Sequence, residues 1–422
     1  MSRTGRGVLR VAHARSGGPS RTGRRAFRLA VLGLALVAGV GSVRSASAQA
    51  VPTTALGLGY PTPPLDARAA ALGGIGVGLL GGTLSVRNPA DLIDFKVPVL
   101  SATTSPQSVT LRGNGLSPTH DGRSNFPVLG IAVPISGFAF GIGVGSELDQ
   151  DWSLSFEDTL HAASGDFPYV DRREHNGGIS SINLAAARQF GPLSVGLAYD
   201  RLVGSLRETF TRQFQASTDS TVSPPGTVSD RAQWNYHGSR FRAGAGVQLG
   251  ARVRVSGVYS WTPSLTAERD SVGTTRTFDM PRWFAVGASA RPFTNLLLTA
   301  GGGWSGWSAA DREVSGTRAR DIHWGGAGLE FTGWKIGVFP LALRAGAHFT
   351  QLPFWQIGHQ PLDEKAVSAG IGTQFAGDRG RLDFSLEVGK RGNAPATGTA
   401  ETFRRFTLTF TLRQVPTPGF LP

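Results

Sequence analysis

Three absences narrow what this 422-residue chain can be. It contains no cysteine, which excludes disulfides, thiolate metal sites and cysteine nucleophiles. After residue 50 there is no run of 18 apolar residues, so no membrane-spanning helix is expected in that part of the chain. Beyond about residue 95 the sequence also lacks convincing 3.6-residue periodicity, and helices are therefore not expected there.

Acidic residues are missing from the first fifty positions. This stretch carries nine arginines, whereas residues 51–422 carry 33 basic and 29 acidic side chains. The first fifty residues therefore supply most of the formal net charge of +13. A nucleic-acid partner is therefore not expected. Residues 24–28 (RRAFR) precede an apolar run over 29–41 and small residues over 45–50, the order of a secretory signal peptide. Residues 1–48 are predicted to be that signal, and the arginine pair leaves a twin-arginine signal open.

What the chain has in abundance is glycine, 58 residues, and period-2 alternation. In residues 381–390 the apolar Leu382 and Phe384 alternate with Asp383, and residues 405–413 alternate in the same way. A soluble sandwich turns the apolar face inward, whereas a membrane barrel turns it toward lipid and leaves the inner face small or polar. No linkers divide the chain into sandwich domains, and many strands carry charges or glycines on one face. We therefore predict an all-β fold, an antiparallel transmembrane β-barrel.

Fourteen candidate strands can be counted, an even number as single-chain bacterial barrels require. They lie near residues 97–111, 126–135, 138–157, 178–190, 193–211, 233–249, 251–265, 278–291, 295–305, 321–332, 340–351, 364–376, 380–391 and 402–414. Six connections are short, and seven are longer and polar, such as 158–177, 213–232 and 305–320. Short periplasmic turns and long outer loops would place both termini in the periplasm, below a bacterial outer membrane. Several tryptophans near strand ends are expected in the aromatic girdles at the membrane surfaces: Trp152, Trp234, Trp261, Trp283, Trp304 and Trp324.

The segment before the first strand does not alternate. We predict that residues 49–95 form a hatch inside the lumen, that 96–414 form the barrel and that 415–422 form a tail. Asp66 is a plausible cap for a short helix that ends at glycine. Asn88, Pro89 and Ala90 are predicted to turn near the barrel wall, because Pro89 restricts Asn88 to extended conformations and the asparagine side chain can bond nearby backbone. A disordered periplasmic tail is the alternative.

Both ends of the chain resemble one family. Residues 67–77 (ARAAALGGIGV) and 86–92 (VRNPADL) are similar to the start of FadL/PorV-type outer-membrane proteins, and residues 381–392 and 401–406 are similar to their last hairpin. The resemblance implies a fourteen-stranded barrel with an N-terminal hatch. In transporter members it implies that hydrophobic ligands pass from an outer groove to an inner pocket and leave sideways through a kinked strand. PorV-type members instead support protein secretion.

Other motifs are weaker. Residues 76–81 match G-x-G-x-x-G, but no βαβ unit surrounds them. His161, Ser164 and Asp166 lie within six residues on a predicted flexible loop, where a triad would lack a scaffold. No catalytic residue, metal site or cofactor is therefore predicted. Four charged residues are expected to face each other across adjacent strands in the lumen: Arg381, Asp383, Glu387 and Arg405.

These patterns favour an outer-membrane channel for hydrophobic small molecules, either fatty-acid-like or aromatic. Its expected partners are outer-membrane lipid and that ligand. The alternative is a PorV-like partner or anchor in protein secretion, which would contact secretion-system proteins, and an outer-membrane enzyme is disfavoured. Because the inner face is expected to line a polar lumen, Ser385→Arg should cost less stability than Leu386→Arg.

Overall fold

A computed structural model describes residues 51–414 apart from 64, 85–86, 114–117, 163–164, 216–222, 271–272, 311–318, 357 and 376–378. The predicted signal peptide, its cleavage site and the tail 415–422 lie outside these residues. No helix among the described residues is long and apolar enough to cross a membrane.

Within the described residues, fourteen antiparallel strands form a closed barrel, which confirms the predicted all-β fold and strand number. The strands are β1 Val99–Gly113, β2 Thr119–Ile135, β3 Phe138–Asp149 and Trp152–Ala162, β4 Gly165–Phe190, β5 Leu193–Phe214, β6 Val228–Leu249, β7 Val253–Trp261 and Leu265–Arg269, β8 Thr275–Phe278 and Trp283–Phe293, β9 Leu296–Ser305, β10 Ile322–Ile336, β11 Phe339–Gln351, β12 Asp363–Phe375, β13 Gly380–Gly392 and β14 Thr399–Arg413. The barrel closes where β14 pairs with β1, from Thr399 opposite Gly113 to Arg413 opposite Val99. Three strands (β3, β7 and β8) are interrupted.

The alternating sequence produces two different faces. On β14, Phe406, Leu408 and Phe410 point outward and are each 41% exposed, while Thr407 and Thr409 between them are buried. Successive side chains of a strand lie on opposite faces, so a period of two separates a lipid-facing row from a lumen-facing row.

Six short connections lie at one end of the barrel, here called the turn end, and the other connections lie at the loop end. The β2–β3 turn is built from Ser136 and Gly137, whose φ values are 46° and 83°. Two consecutive positive φ angles are typical of the type I′ turn, whose twist matches that of the paired strands.

The prediction of a long loop over residues 158–177 is wrong. There the second segment of β3 pairs with β4, from Trp152 opposite His175 to Ala162 opposite Gly165. The polar composition of this stretch reflects a hairpin in which most described side chains are partly or fully exposed. Backbone pairing needs no apolar side chains, so a polar stretch can still be a strand.

The segment before β1 lies partly inside the barrel and contains a short helix. From the loop end it runs through a 3₁₀ turn at Thr53–Ala55, a short strand at Tyr60–Pro61 and helix α1 at Ala67–Ala71. A second 3₁₀ turn, Pro89–Asp94, leads to β1 at the turn end. We call residues 51–95 the hatch. A second short helix, α2 at Ala394–Thr397, and a 3₁₀ turn at Trp307–Ala309 lie in loop-end connections.

Candidate functional site

Helix α1 is held against the inner wall by its small side chains. Asp66 caps it, since its side chain accepts a hydrogen bond from the Ala69 amide at 2.8 Å, and burial raises the pKa of this carboxyl. Where the helix ends, the residues of the barrel wall that face it are glycines. A Cβ on Gly346 would lie 2.2 Å from the Gly73 nitrogen, and one on Gly328 would lie 2.7 Å from the Leu72 Cα. These wall glycines therefore let hatch backbone lie directly on strand backbone.

A buried charge network joins this helix to the wall. Arg68 donates from Nε and Nη2 to the two carboxylate oxygens of Glu330 on β10, at 2.8 and 2.9 Å. Glu330 also accepts from Arg344 of β11 at 2.7 Å, and Arg344 pairs with Asp383 of β13 at 2.8 Å. The predicted Arg381 lies 2.7 Å from the same Asp383. Two of the four charges proposed from sequence thus stand in a network that also holds the hatch.

The Asn-Pro-Ala turn lies against β5 and β6. The Asn88 side chain accepts from the Ala90 amide at 3.1 Å and begins the 3₁₀ turn. A Cβ on Gly244 would come within 2.0 Å of Asn88 Oδ1, and one on Gly196 within 2.6 Å of the Ala90 nitrogen. These two glycines, on neighbouring strands, therefore leave the space that the turn occupies.

An arginine of the wall fixes the same part of the hatch. Arg254 of β7 lies 2.8 Å from Asp91 and also pairs with Asp94. Its side chain is almost fully buried. A buried guanidinium needs several acceptors, and the two carboxylates supply them.

The start of the hatch is tied to the loop end. Tyr60 donates to Glu364 at 2.7 Å, and Arg391 lies over its ring at 4.1 Å. Burial raises the pKa of Tyr60 to about 12, so the phenol stays protonated and remains a donor. Near it, the predicted Arg405 and Glu387 pair at 2.8 Å between β14 and β13.

A cavity of about 190 Å³ lies in the lumen between the hatch and the loop end. Its apolar lining includes Leu148, Ile179, Leu202, Met280, Ile322 and Leu352. Charged groups also line it, among them Glu147, Arg240, Glu364, Glu387 and Arg405. The cavity therefore combines apolar surface with polar groups that can orient a ligand.

The barrel wall beside this cavity contains a gap between β2 and β3. The ladder between the two strands ends at Val128 opposite Gly145. Beyond it, Tyr60 and Pro61 of the hatch pair with Asp149 and Leu148 of β3. The hatch thus supplies the missing wall with two residues of its own.

The tryptophan predictions divide between the faces. Trp261 is 44% exposed beside Phe241, and Trp304 lies beside the exposed Phe284, as expected for a girdle. The girdle prediction is wrong for Trp234, because this side chain is buried in the lumen. It is also wrong for Trp283 and Trp324, since both line the inner cavity. Whether a tryptophan near a strand end points out or in depends on its register, which proximity to the end does not give.

Two of the three rejected triad residues lie on an exposed hairpin. His161 and Asp166 lie 2.7 Å apart on the β3–β4 hairpin, and both side chains are more than half exposed. Ser164 lies outside the described residues. The larger part of the buried charge set was not predicted from sequence; it includes Arg68, Arg254, Glu330, Arg344, Glu364, Arg391 and Glu401. A charge at an inward position of an alternating strand was the signal that could have found the strand members of that set.

The model of the BamG family matches residues 28–279, more than half of the chain. The chain belongs to the BamG family. No curated protein matches this BamG-family chain.

Solved structures give the fold of this BamG-family protein. A FadL homologue from Pseudomonas aeruginosa is 12% identical with a TM-score of 0.59, over 84% of this chain and 100% of the other. The Ralstonia pickettii toluene transporter TbuX is 17% identical with a TM-score of 0.55, over 83% and 98%. The CymD monoaromatic hydrocarbon channel is 17% identical with a TM-score of 0.53, over 86% and 99%. The fold is therefore that of FadL- and TodX-like outer-membrane barrels, which confirms the resemblance seen in the sequence; at these identities the likeness concerns the fold alone.

Proposed function

We propose that this protein is an outer-membrane channel for hydrophobic small molecules, with the hatch as its plug. The observation that carries the proposal is the partly apolar cavity of about 190 Å³ between the hatch and the loop end. A dry cavity of about 150 Å³ is large enough to bind benzene, so this one suits a single aromatic ring. The toluene and monoaromatic channels of the same fold support this choice of ligand.

The β2–β3 gap gives the proposed exit. Tyr60 and Pro61 line the cavity and also close the gap, so displacing them would join the cavity to the membrane beside β3. A salt bridge of 3.6 Å between Arg123 and Asp149 spans the same gap. In this proposal the turn end faces the periplasm, and the chain therefore leaves β14 on the periplasmic side.

Two tryptophan substitutions on one strand test the transport proposal. Leu202 of β5 lines the cavity and is 2% exposed, whereas Leu197 of the same strand is 68% exposed on the outer face. Leu202→Trp should lower toluene uptake by cells that express the protein several-fold, because the indole fills the cavity. Leu197→Trp should leave uptake unchanged. Equal uptake by wild type and empty-vector cells would refute the transport role.

A second candidate function rests on the family. Membership of the BamG family supports a role beside the Bam complex, as an outer-membrane partner rather than a channel. The β10–β11 hairpin offers a surface for such a contact, since Trp334, Ile336 and Val338 at its tip are 60%, 65% and 84% exposed. These side chains are apolar and unshielded in the single chain, as is typical of residues that a partner covers.

Co-purification tests this second role. A tagged protein extracted from native outer membranes in mild detergent should bring Bam components with it in fixed proportion. Val338→Ser should weaken that recovery, and Val228→Ser, at an exposed valine of the loop end, should not. Recovery of the tagged protein alone would argue against the Bam-associated role.

A further inference from the structure

A second break in the barrel wall lies between β7 and β8. On one side of the break, the last pair is Ser260 of β7 opposite Trp283 of β8. On the other side, pairing resumes with Leu265 of β7 opposite Phe278 of β8. Between those pairs, residues 261–264 and 279–282 form no strand pair with each other, and all eight are described. We call this break the β7–β8 seam. Five residue steps separate the two pairs, which corresponds to about 16 Å of extended strand.

Proline accounts for the break. Pro263 stands in the β7 half of the seam and Pro281 in the β8 half. Proline has no amide hydrogen, so it cannot donate a ladder hydrogen bond at its position. Two prolines on facing stretches therefore disfavour strand pairing across the seam.

The seam separates two cavities by one layer of side chains. Thr262 and Met280 line the inner cavity, and both also line a pocket of about 390 Å³ on the outer surface. The outer pocket is bordered by Trp261 and Trp304, with Arg282 and Asp321 at its polar rim. An apolar molecule that passed these two side chains would move directly from the outer pocket to the inner cavity.

The position of the seam matches the edge of the membrane. Trp261 lies in a row of exposed aromatic rings, with centroids 6.0 Å from Phe241 and, further along the row, 5.6 Å between Phe241 and Tyr199. The next outward-facing side chain of β8 beyond the exposed Phe284 is the exposed Arg282. Aromatic rings followed by charge mark the boundary between hydrocarbon and headgroups. A small apolar compound concentrated in the membrane would therefore meet the seam at the loop-end boundary.

We infer that the β7–β8 seam is an entry portal through which monoaromatic or similarly small apolar compounds pass from the membrane boundary into the lumen cavity. The inference rests on the proposed channel function and adds a second opening to it. The seam would admit the compound, and the β2–β3 gap on the other side of the cavity would release it. Met280 suits the role of a movable barrier because its unbranched side chain has several rotatable bonds.

Blocking the seam tests the portal. Met280→Trp should reduce toluene uptake by expressing cells several-fold. Val286→Trp places the same bulk on the lipid face of β8, where the valine is 54% exposed, and should retain uptake. Heat-modifiability on gels would show that each variant still forms a barrel.

A reversible block avoids dependence on a folded tryptophan variant. Because the chain has no cysteine, Thr262→Cys creates a single thiol at the seam. Benzyl methanethiosulfonate should stop toluene uptake by this variant, and dithiothreitol should restore it; the wild type should respond to neither reagent. Full uptake after complete modification would overturn the portal while leaving the channel function in place. Absence of uptake by the wild type would overturn both.

Discussion

Arg68 of the hatch and Glu330 of β10 form a two-bond ion pair, with nitrogen–oxygen distances of 2.8 and 2.9 Å and both side chains at most 5% exposed. The pair connects residues 262 positions apart in the chain. It anchors the hatch to a strand that belongs to the far half of the barrel sequence. Planar two-bond geometry of this kind is available to arginine and not to lysine.

The first prediction concerns this pair. Arg68→Met should destabilise the folded protein by about 3–5 kcal/mol, because it leaves a buried carboxylate with less compensation. Reversible unfolding in lipid, followed by tryptophan fluorescence, would measure the loss. The double variant Arg68→Met/Glu330→Met should recover part of it, since no unpaired charge then remains. Arg404→Met, at an exposed arginine, is the control and should have a small effect. A loss that is equal for Arg68 and Arg404 would contradict the anchoring role.

The second prediction concerns the wall glycines that contact the Asn-Pro-Ala turn. Gly244→Ala should lower stability by about 1–3 kcal/mol, because its Cβ would overlap Asn88 Oδ1 and overpacking carries a cost of this size. The same unfolding assay applies. Gly257→Ala is the matched control on β7, where the nearest atom to an added Cβ is 3.7 Å away. Combining Gly244→Ala with Asn88→Ala should cost less than the sum of the two single changes, whereas strict additivity would show that the overlap is not the cause.

The third prediction corrects the expectation from sequence about β13. Ser385 is fully buried. The Cβ of an alanine at Gly370, its neighbour on β12, would lie 2.5 Å from Ala71 of the hatch helix. Ser385→Arg should therefore cost at least as much stability as Leu386→Arg, for which about 2–4 kcal/mol is expected at the membrane midplane.

Unfolding of both β13 variants in lipid decides the order of the costs. The exposed Lys390 supplies a control on the same strand, and Lys390→Arg should be nearly neutral. A tolerated Ser385→Arg would mean that the lumen beside β13 is open to water, as the sequence alone suggested.

The fourth prediction concerns the hatch as a plug. A protein without residues 51–95 should keep its barrel and conduct ions in planar bilayers, because no other described segment crosses the lumen at that level. It should lose uptake of toluene, since Tyr60, Pro61 and Leu65 no longer line the cavity. Single-channel conductance identical to that of the full-length protein would contradict the plug.

The strand register explains why the sequence predicted so much of the barrel. The alternation of Leu382, Phe384 and Val388 with Asp383 and Glu387 is local, and lipid against one face is enough to impose it. Strand number and the lipid-facing row could therefore be read from sequence. The helix capped by Asp66 was also predicted, because a cap and a terminal glycine are local signals.

What the inner face meets was decided only by the tertiary structure. Gly196, Gly244 and Gly346 look in the sequence like small lumen residues, yet each lies against hatch atoms from more than a hundred positions away. The hatch partners of Glu330 and Arg254, which are Arg68 and Asp91, are also more than a hundred positions away in the sequence. The β7–β8 seam was also decided by the tertiary structure, since only the fold places Pro263 and Pro281 on facing stretches of two strands. Local pattern fixed which side chains face inward because strand geometry repeats every two residues, but which distant groups meet there depends on closing the barrel around the hatch, and no local pattern contains that information.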